Sequence, residues 1–320
     1  MPQSIIDIVR RRGVSASPEE FHNAVNVTFH EFESIVYDRE HADMWQSLPQ
    51  QFQLLMNDSL EQCELPSRIR LLDVGCGTGL AFDSLTKTRI GNRIASLDLL
   101  DTSPSMLQRA SERASQYQLP FRIHQGLLDA LPLDAKYDVI VGCSVLHHVP
   151  DVSQFVREIR KHLTAGGIFL HLQDPNGDYL ADPELQQRMR RTSKRALPEI
   201  CYRLTPSRIL RRIRRLFHSQ PDDYIAKTNR ALLNSGIISM PLTLPELFAI
   251  TDIHVVDGQG VSISQMKSWI TEYECIAQRS YGFFGQLWST LPPKLKEEEE
   301  RLISKHAANG FHIGAAWRLR

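Results

Sequence analysis

"LLDVGCGTGL", residues 71–80, decides how the rest of the chain is read. Glycines stand at positions 75, 77 and 79, and Asp73 precedes them at the end of a short apolar run. Glycine lets a backbone turn tightly and approach a ligand closely. The helix that follows such a turn points its free N–H groups at whatever lies there. Dinucleotide-binding turns use Gly-x-Gly-x-x-Gly, in which the last glycine falls one position later. Here the third glycine comes early, and Asp73 puts negative charge where a pyrophosphate would be repelled. A ligand carrying an ammonium group suits this turn better.

Outward from the turn, short apolar runs recur at 69–74, 93–100, 121–124, 137–143 and 167–172. Amphipathic stretches such as "PSMLQRASERASQYQ" and "DVSQFVREIRKHLTAGG" separate them. This alternation predicts right-handed crossovers and a parallel sheet with helices on both faces. "SISQMKSWITEYECIAQRS" adds a helix and a sixth strand. "PPKLKEEEERLISKHAANGFHIGAAWRLR" adds a helix and a final strand, with "KLKEEEER" as a solvated helix face. Residues 1–66 read as a helical extension in which Ser17 and Pro18 open a helix. Residues 177–240 break the alternation and read as a basic helical lid inserted before residues 241–320 complete the sheet.

Lys plus Arg and Asp plus Glu number 37 each in the 320 residues, so no global pull toward nucleic acid or a membrane is expected. The five cysteines form no C-x-x-C pair, and their scatter fits a reducing cytoplasm. The start "MPQSIIDIVRRRG" has the wrong order of charge and apolar residues for a secretory signal. No apolar run approaches the roughly 20 residues that a membrane helix needs.

Five stretches, in order, resemble the class I S-adenosylmethionine-dependent methyltransferases, in their small-molecule branch. They are "LLDVGCGTG", "LDLLDTSPSML", "HQGLLDALPL", "YDVIVGCSVLHHVPD" and "LTAGGIFL". The resemblance covers about residues 68–174. It implies an α/β fold: a Rossmann-like seven-stranded, mostly parallel sheet with an N-terminal helical extension and a helical lid insertion. Residues 67–176 become the cofactor-binding core. The implied cofactor is S-adenosyl-L-methionine, released as S-adenosyl-L-homocysteine.

The resemblance also assigns contacts. Gly75, Cys76, Gly77 and Gly79 would hold the methionine part, with Asp73 supporting its amino group and backbone near Cys143 meeting the ammonium. Asp101, followed by Thr102, would accept both ribose hydroxyls, a task a carboxylate suits. Asp98 is a rival acid inside the strand, and Asp101 also reads as a helix cap ahead of "TSPSML". Met106 would line the adenine, though its position equally suits the core. The acid that often follows the third-motif glycine is replaced by Leu127, so Leu127 and Leu128 would hold adenine by apolar contact, with Asp129 a substitute acid. Tyr37 would reach over the cofactor.

A sulfonium methyl is already activated, so alignment, exclusion of water and proton removal are what remain for the protein. His147 and His148 follow the fourth strand and are the candidate bases. Asp174 and His171 are weaker ones. The sequence holds no dense set of metal ligands, and no metal is expected. Residues 208–217 read as a helix that would place Ile209, Leu210, Ile213, Leu216 and Phe217 on one face and Arg208, Arg211, Arg212, Arg214 and Arg215 on the other. That helix leaves an anionic or amphiphilic small-molecule acceptor, peripheral contact with a membrane surface and a lipid or RNA acceptor open. The lack of interleaved aromatics argues against nucleic acid. A cofactor-binding protein without activity, or one that uses the sulfonium for another reaction, is an alternative. Oligomeric state is not legible.

Overall fold

The computed structural model describes residues 1–192, 223–256 and 258–320. The described strands form one sheet: β1 (Ile69–Val74), β2 (Ile94–Asp101), β3 (Phe121–Gln125), β4 (Tyr137–Cys143), β5 (Leu163–Pro175), β6 (Tyr273–Tyr281) and β7 (His312–Leu319). Their order is β3-β2-β1-β4-β5-β7-β6. Strands β1 to β5 pair in parallel, and β7 runs antiparallel between β5 and β6. The expected mostly parallel, seven-stranded sheet is therefore present. The chain winds one way from β1 to β3 and the other way from β4 to β5. In such sheets ligands bind at the carboxyl ends of the strands where the winding reverses, here between β1 and β4.

The described helices are α1 (Gln3–Arg12), α2 (Pro18–Glu33), α3 (Tyr37–Glu40), α4 (Ala42–Gln62), α5 (Leu80–Thr86), α6 (Pro104–Ala114), α7 (Val152–His162), α8 (Pro183–Arg190), α9 (Tyr224–Asn234), α10 (Leu244–Thr251), α11 (Ile253–Val256), α12 (Ile263–Trp269) and α13 (Pro293–Ser304). Successive residues of a strand point to opposite faces, so each strand feeds two cores. Leu71, Leu99, Val141 and Leu170 pack with Phe52 of α4, Phe82 of α5 and Leu107 of α6. Leu72, Val74, Ile140 and Trp317 pack with Val156 of α7 and Met266 of α12.

A separate core joins Ile5, Ile8, Phe21 and Val25 of α1 and α2 to Leu232, Leu242, Leu247 and Ile250. The N-terminal helices and residues from α9 to α11 thus form one helical cap. Arg12 Nε donates to Glu246 Oε1 at 3.0 Å and ties its two halves together. The boundary placed at 240 runs through this cap, and α4, placed in the extension, lies against the sheet. Ser17 caps α2 in a capping box with Glu20, and Pro18 follows it, as the sequence indicates. The arginine-rich helix expected at 208–217 lies outside the described residues.

The "KLKEEEER" run is not wholly solvated. Glu299 shares its helical face with Leu295 and Ile303 and is 1% exposed. Its carboxylate accepts the N–H groups of Gly282 at 2.6 Å and Phe283 at 2.9 Å. Burial pushes its pKa up to about 7, against those two hydrogen bonds. An acid with a raised pKa contributes stability below its unfolded value and loses it as the pH rises through the folded value. Wild-type stability is therefore expected to fall between pH 5 and 8 relative to Glu299→Gln. Urea unfolding across that range measures the difference, and two parallel pH profiles would contradict it.

Candidate functional site

The glycine turn leaves β1 and enters α5. Gly75, Gly77 and Gly79 have φ values of 59°, 51° and 92°. A side chain on Gly75 would stand 2.7 Å from Val145 Cγ2, so this position needs glycine both for its conformation and for the close approach of the segment after β4. A side chain on Gly77 would meet nothing within 4 Å, because the turn there faces open space.

Two acids from adjacent strands flank the turn. Asp73 Oδ2 accepts the Phe82 N–H at 3.0 Å. Its Oδ1 is buried without a hydrogen-bond partner among the described residues. Burial pushes the Asp73 pKa up to about 8, against the Phe82 hydrogen bond and helped by the charge of Asp101. Asp101 closes β2, and its Oδ2 accepts the Gly77 N–H at 2.8 Å. Its Oδ1 accepts the Ser103 N–H at 2.9 Å. Burial raises its pKa as well, against those N–H bonds and the nearby His30. The cap of α6 is Ser103, whose Oγ accepts from Met106 N, so Asp101 is not the capping residue. Asp98 is taken up elsewhere, bonded to Tyr137 at 2.7 Å, to His124 at 2.9 Å and to Arg122.

The remaining expected residues spread around this pair. Thr102 follows Asp101, and Met106 is 2% exposed in the first turn of α6. Gly126 N–H donates to the Asp101 carbonyl at 2.9 Å, which brings the next residue, Leu127, to the end of β2. Leu127 is 53% exposed and can offer an apolar wall, whereas Leu128 is packed in the core with Val74 and Leu100. Asp129 is exposed. Cys143 ends β4 and is followed by Ser144 at a φ of 63°. Tyr37 opens α3, with its ring 4.4 Å from that of His41.

The cap contributes contacts that carry no signal in the sequence. Asp38 accepts from Thr78 Oγ1 of the glycine turn at 2.5 Å, from Trp45 at 3.1 Å and from Arg113 at 3.1 Å. Glu31 accepts from Ser103 Oγ at 2.7 Å and from the Ser105 N–H at 3.2 Å. Apart from Asp38 and Trp45, 7 positions apart, these pairs join residues 40 to 75 positions apart in sequence, and no local pattern announces them. They dock α2 and α3 onto the edge of the site.

The two histidines after β4 lie on a 3-10 turn, Leu146–His148. His147 is buried, and its Nδ1 lies 2.9 Å from Asp174 Oδ1, which also accepts the His147 N–H at 3.1 Å. Asp174 can reach it because β5 shifts register between Leu172 and Asp174, with Gln173 at a φ of 69°. Such a bulge re-aims the next side chain. Burial opposes the Asp174 charge, but hydrogen bonds from His147 and His171 outweigh it and hold its pKa down to about 2. Asp174 and His171 are both fully buried, and they support His147 from behind. His148 packs on His147 with ring centroids 4.0 Å apart and on His30 of α2 at 5.2 Å. Burial, then its histidine neighbours, hold the His148 pKa well below the usual histidine range, so it is neutral at pH 7. Asp252, between α10 and α11, faces both histidines. His147, His148 and Asp252 offer three ligand atoms within 4.8 Å of one another. The sequence hides this cluster because it joins neighbouring histidines to an acid from the distant cap.

A family model described as a methyltransferase domain matches residues 72–169. The ubiquinone biosynthesis O-methyltransferase of Rickettsia akari is 30% identical over 102 residues, which cover 32% of this chain and 39% of that protein. The malonyl-[acyl-carrier protein] O-methyltransferase of Bacillus cereus is 29% identical over 102 residues, covering 32% and 36%. The chain thus spans about two fifths of the length of the curated relatives it matches. The plantazolicin methyltransferase BpumL in complex with SAH aligns over 99% of each chain, with 11% identity and a TM-score of 0.47. Residues 72–169 thus carry a methyltransferase domain, similar to that of S-adenosylmethionine-dependent methyltransferases. Among the described residues, no helix is long and apolar enough to cross a membrane.

Proposed function

We propose that this chain transfers the methyl group of S-adenosylmethionine to an oxygen, nitrogen or carbon nucleophile of a small organic molecule. The observation that supports it best is the Gly77 N–H to Asp101 bond of 2.8 Å, which joins the glycine turn to the acid of β2 where the winding of the sheet reverses. The residues fit the cofactor. Asp73 offers a buried oxygen without a partner, Gly75 has no room for a side chain, and Gly77 opens on free space. Gly75, Cys76, Gly77 and Gly79 would hold the methionine part with Asp73 and the backbone at Cys143. Asp101 and Thr102 would take the ribose, and Leu127, with Met106 and Leu128 behind it, the adenine. Tyr37 and the docked cap would cover the bound molecule and exclude water. When bound, S-adenosylmethionine supplies a methyl group already activated on a sulfonium.

His147 and His148 form the acceptor side of the site, where the acceptor's proton or reacting atom is handled. The family match spans residues 72–169 and includes neither half of the cap, so it supports the cofactor rather than any acceptor. Incubation with S-adenosylmethionine is expected to raise the melting temperature and, with a small-molecule extract, to release S-adenosylhomocysteine. A wild-type protein whose melting temperature does not move would overturn the proposal.

Asp73 sets a pH dependence. With its pKa pushed up to about 8, it is largely protonated at neutral pH. An ammonium beside it would lower that pKa, so binding releases a proton and strengthens as the pH rises. Cofactor affinity is expected to rise from pH 5.5 to 7, by at most about tenfold per pH unit. Calorimetric titrations should show a flatter profile for Asp73→Asn; equal slopes would remove Asp73 from the ammonium site.

A further inference from the structure

We propose that His147, His148 and Asp252 bind one divalent first-row transition-metal ion, with Zn²⁺ as the reference case. His147 Nε2 lies 3.9 Å and His148 Nδ1 lies 3.8 Å from Asp252 Oδ1. Zinc takes imidazole nitrogen at about 2.0–2.1 Å and carboxylate oxygen at about 2.0–2.2 Å, so neighbouring ligand atoms around one ion sit roughly 3–4 Å apart. Small side-chain rotations bring this trio to that spacing.

The support behind His147 is what a metal site requires. A ligating histidine ordinarily gives its other ring N–H to a carboxylate, which fixes tautomer and orientation. Asp174 does this at Nδ1, held in place by the β5 bulge and by His171 at 3.3 Å. With Nδ1 held by Asp174, Nε2 is the nitrogen that faces the Asp252 carboxylate. An ion ligated by both groups would sit between Nε2 and that carboxylate, which lie 3.9 Å apart. His148 Nδ1 also rests against the Thr251 carbonyl oxygen. Ligation through Nδ1 would exchange that hydrogen bond for a metal bond and bring a further oxygen to the rim.

The donor set selects the metal. Two imidazoles and one carboxylate suit Zn²⁺, Fe²⁺ or Co²⁺ better than Mg²⁺ or Ca²⁺, which prefer oxygen ligands alone. Three protein ligands leave a coordination position for water or another oxygen. His147 is buried, but the side chains of His148 and Asp252 keep 20% and 23% of their exposure, so that position is reachable. Metal binding stands independently of methyl transfer; only the use of the open position by an acceptor oxygen rests on the function proposed above. Because the same Nε2 cannot ligate and accept a proton, the metal would replace His147 as a free base. The ligands come from both the β4 edge and the cap, so the ion would also clamp the cap to the sheet.

The test uses the full, untagged chain, dialysed against a chelator and titrated with Zn²⁺ alone. One equivalent is expected to bind, and Co²⁺ in its place should give the visible bands of a histidine-ligated ion. Asp252→Asn and His148→Ala should each abolish that stoichiometric binding. Asp174→Asn, a positioning variant, should weaken it about 10- to 100-fold. Circular dichroism establishes that each variant is folded, and the Asp252→Asn side chain is the least disruptive. A folded wild type that takes up no stoichiometric Zn²⁺, or an Asp252→Asn variant that binds as the wild type does, would overturn the site. The shift in melting temperature with S-adenosylmethionine, read separately, distinguishes failure of the metal site from failure of the cofactor site.

Discussion

Asp101→Ala is expected to lower affinity for S-adenosylmethionine about 10²- to 10⁴-fold. The magnitude follows from two hydrogen bonds to a charged acceptor at about 1.5–3 kcal/mol each, summed and converted at 1.4 kcal/mol per decade. Each Asp101 oxygen is already committed to one N–H, from Gly77 and from Ser103. A carboxylate has about four acceptor sites, so capacity for two hydroxyls is left. Those N–H bonds hold the carboxylate in one orientation before any ligand arrives, which reduces the ordering cost of binding. Asp101→Asn keeps the size and one acceptor but turns the other into a donor, so its loss should lie between the wild type and alanine. Isothermal titration with S-adenosylhomocysteine measures both. An alanine variant that binds within threefold of the wild type would remove Asp101 from the site.

Gly75→Ala should be nearly as damaging by a different route. The residue sits at a φ of 59°, where a side chain costs roughly 1–2 kcal/mol. The added Cβ would stand 2.7 Å from Val145 Cγ2, and that branched side chain has little freedom to yield. The turn must therefore move away from the segment after β4. That movement carries Gly77 away from Asp101 and alters the distance between the turn and the two histidines. A displacement of about 1 Å at a reacting centre costs about 100-fold in rate. Release of S-adenosylhomocysteine is the measurement, alongside thermal unfolding. Gly77→Ala provides the contrast: its Cβ meets nothing within 4 Å, so its unfolding should change less than that of Gly75→Ala. The reverse ranking would show that the approach of Val145 does not constrain the turn.

The strand pattern, the glycine turn and the acid at the end of β2 were legible because each is local. A strand that feeds two cores is apolar along its length, and a turn with left-handed φ values calls for glycine where it occurs. Ser17 was legible as a cap for the same reason, since a cap and its N–H lie three residues apart, whereas the cap of α6 was placed at Asp101 and is Ser103. Glu299 was misread because its neighbours are acids; only the face it shares with Leu295 and Ile303 shows where it points.

By itself, the sequence determined the class of fold and the positions of the glycine turn, Asp73 and Asp101 at the ends of β1 and β2, because short-range backbone geometry and periodic burial are written in neighbouring residues. Only the tertiary structure decided that α1 and α2 share a cap with α9 and α10, that Asp38 docks α3 on the glycine turn and Glu31 docks α2 on the start of α6, and that Asp174 stands behind His147 while Asp252 stands in front. Those contacts join residues 27 to more than 100 positions apart. Their geometry is set by which faces pack together, and no local rule of spacing can anticipate that.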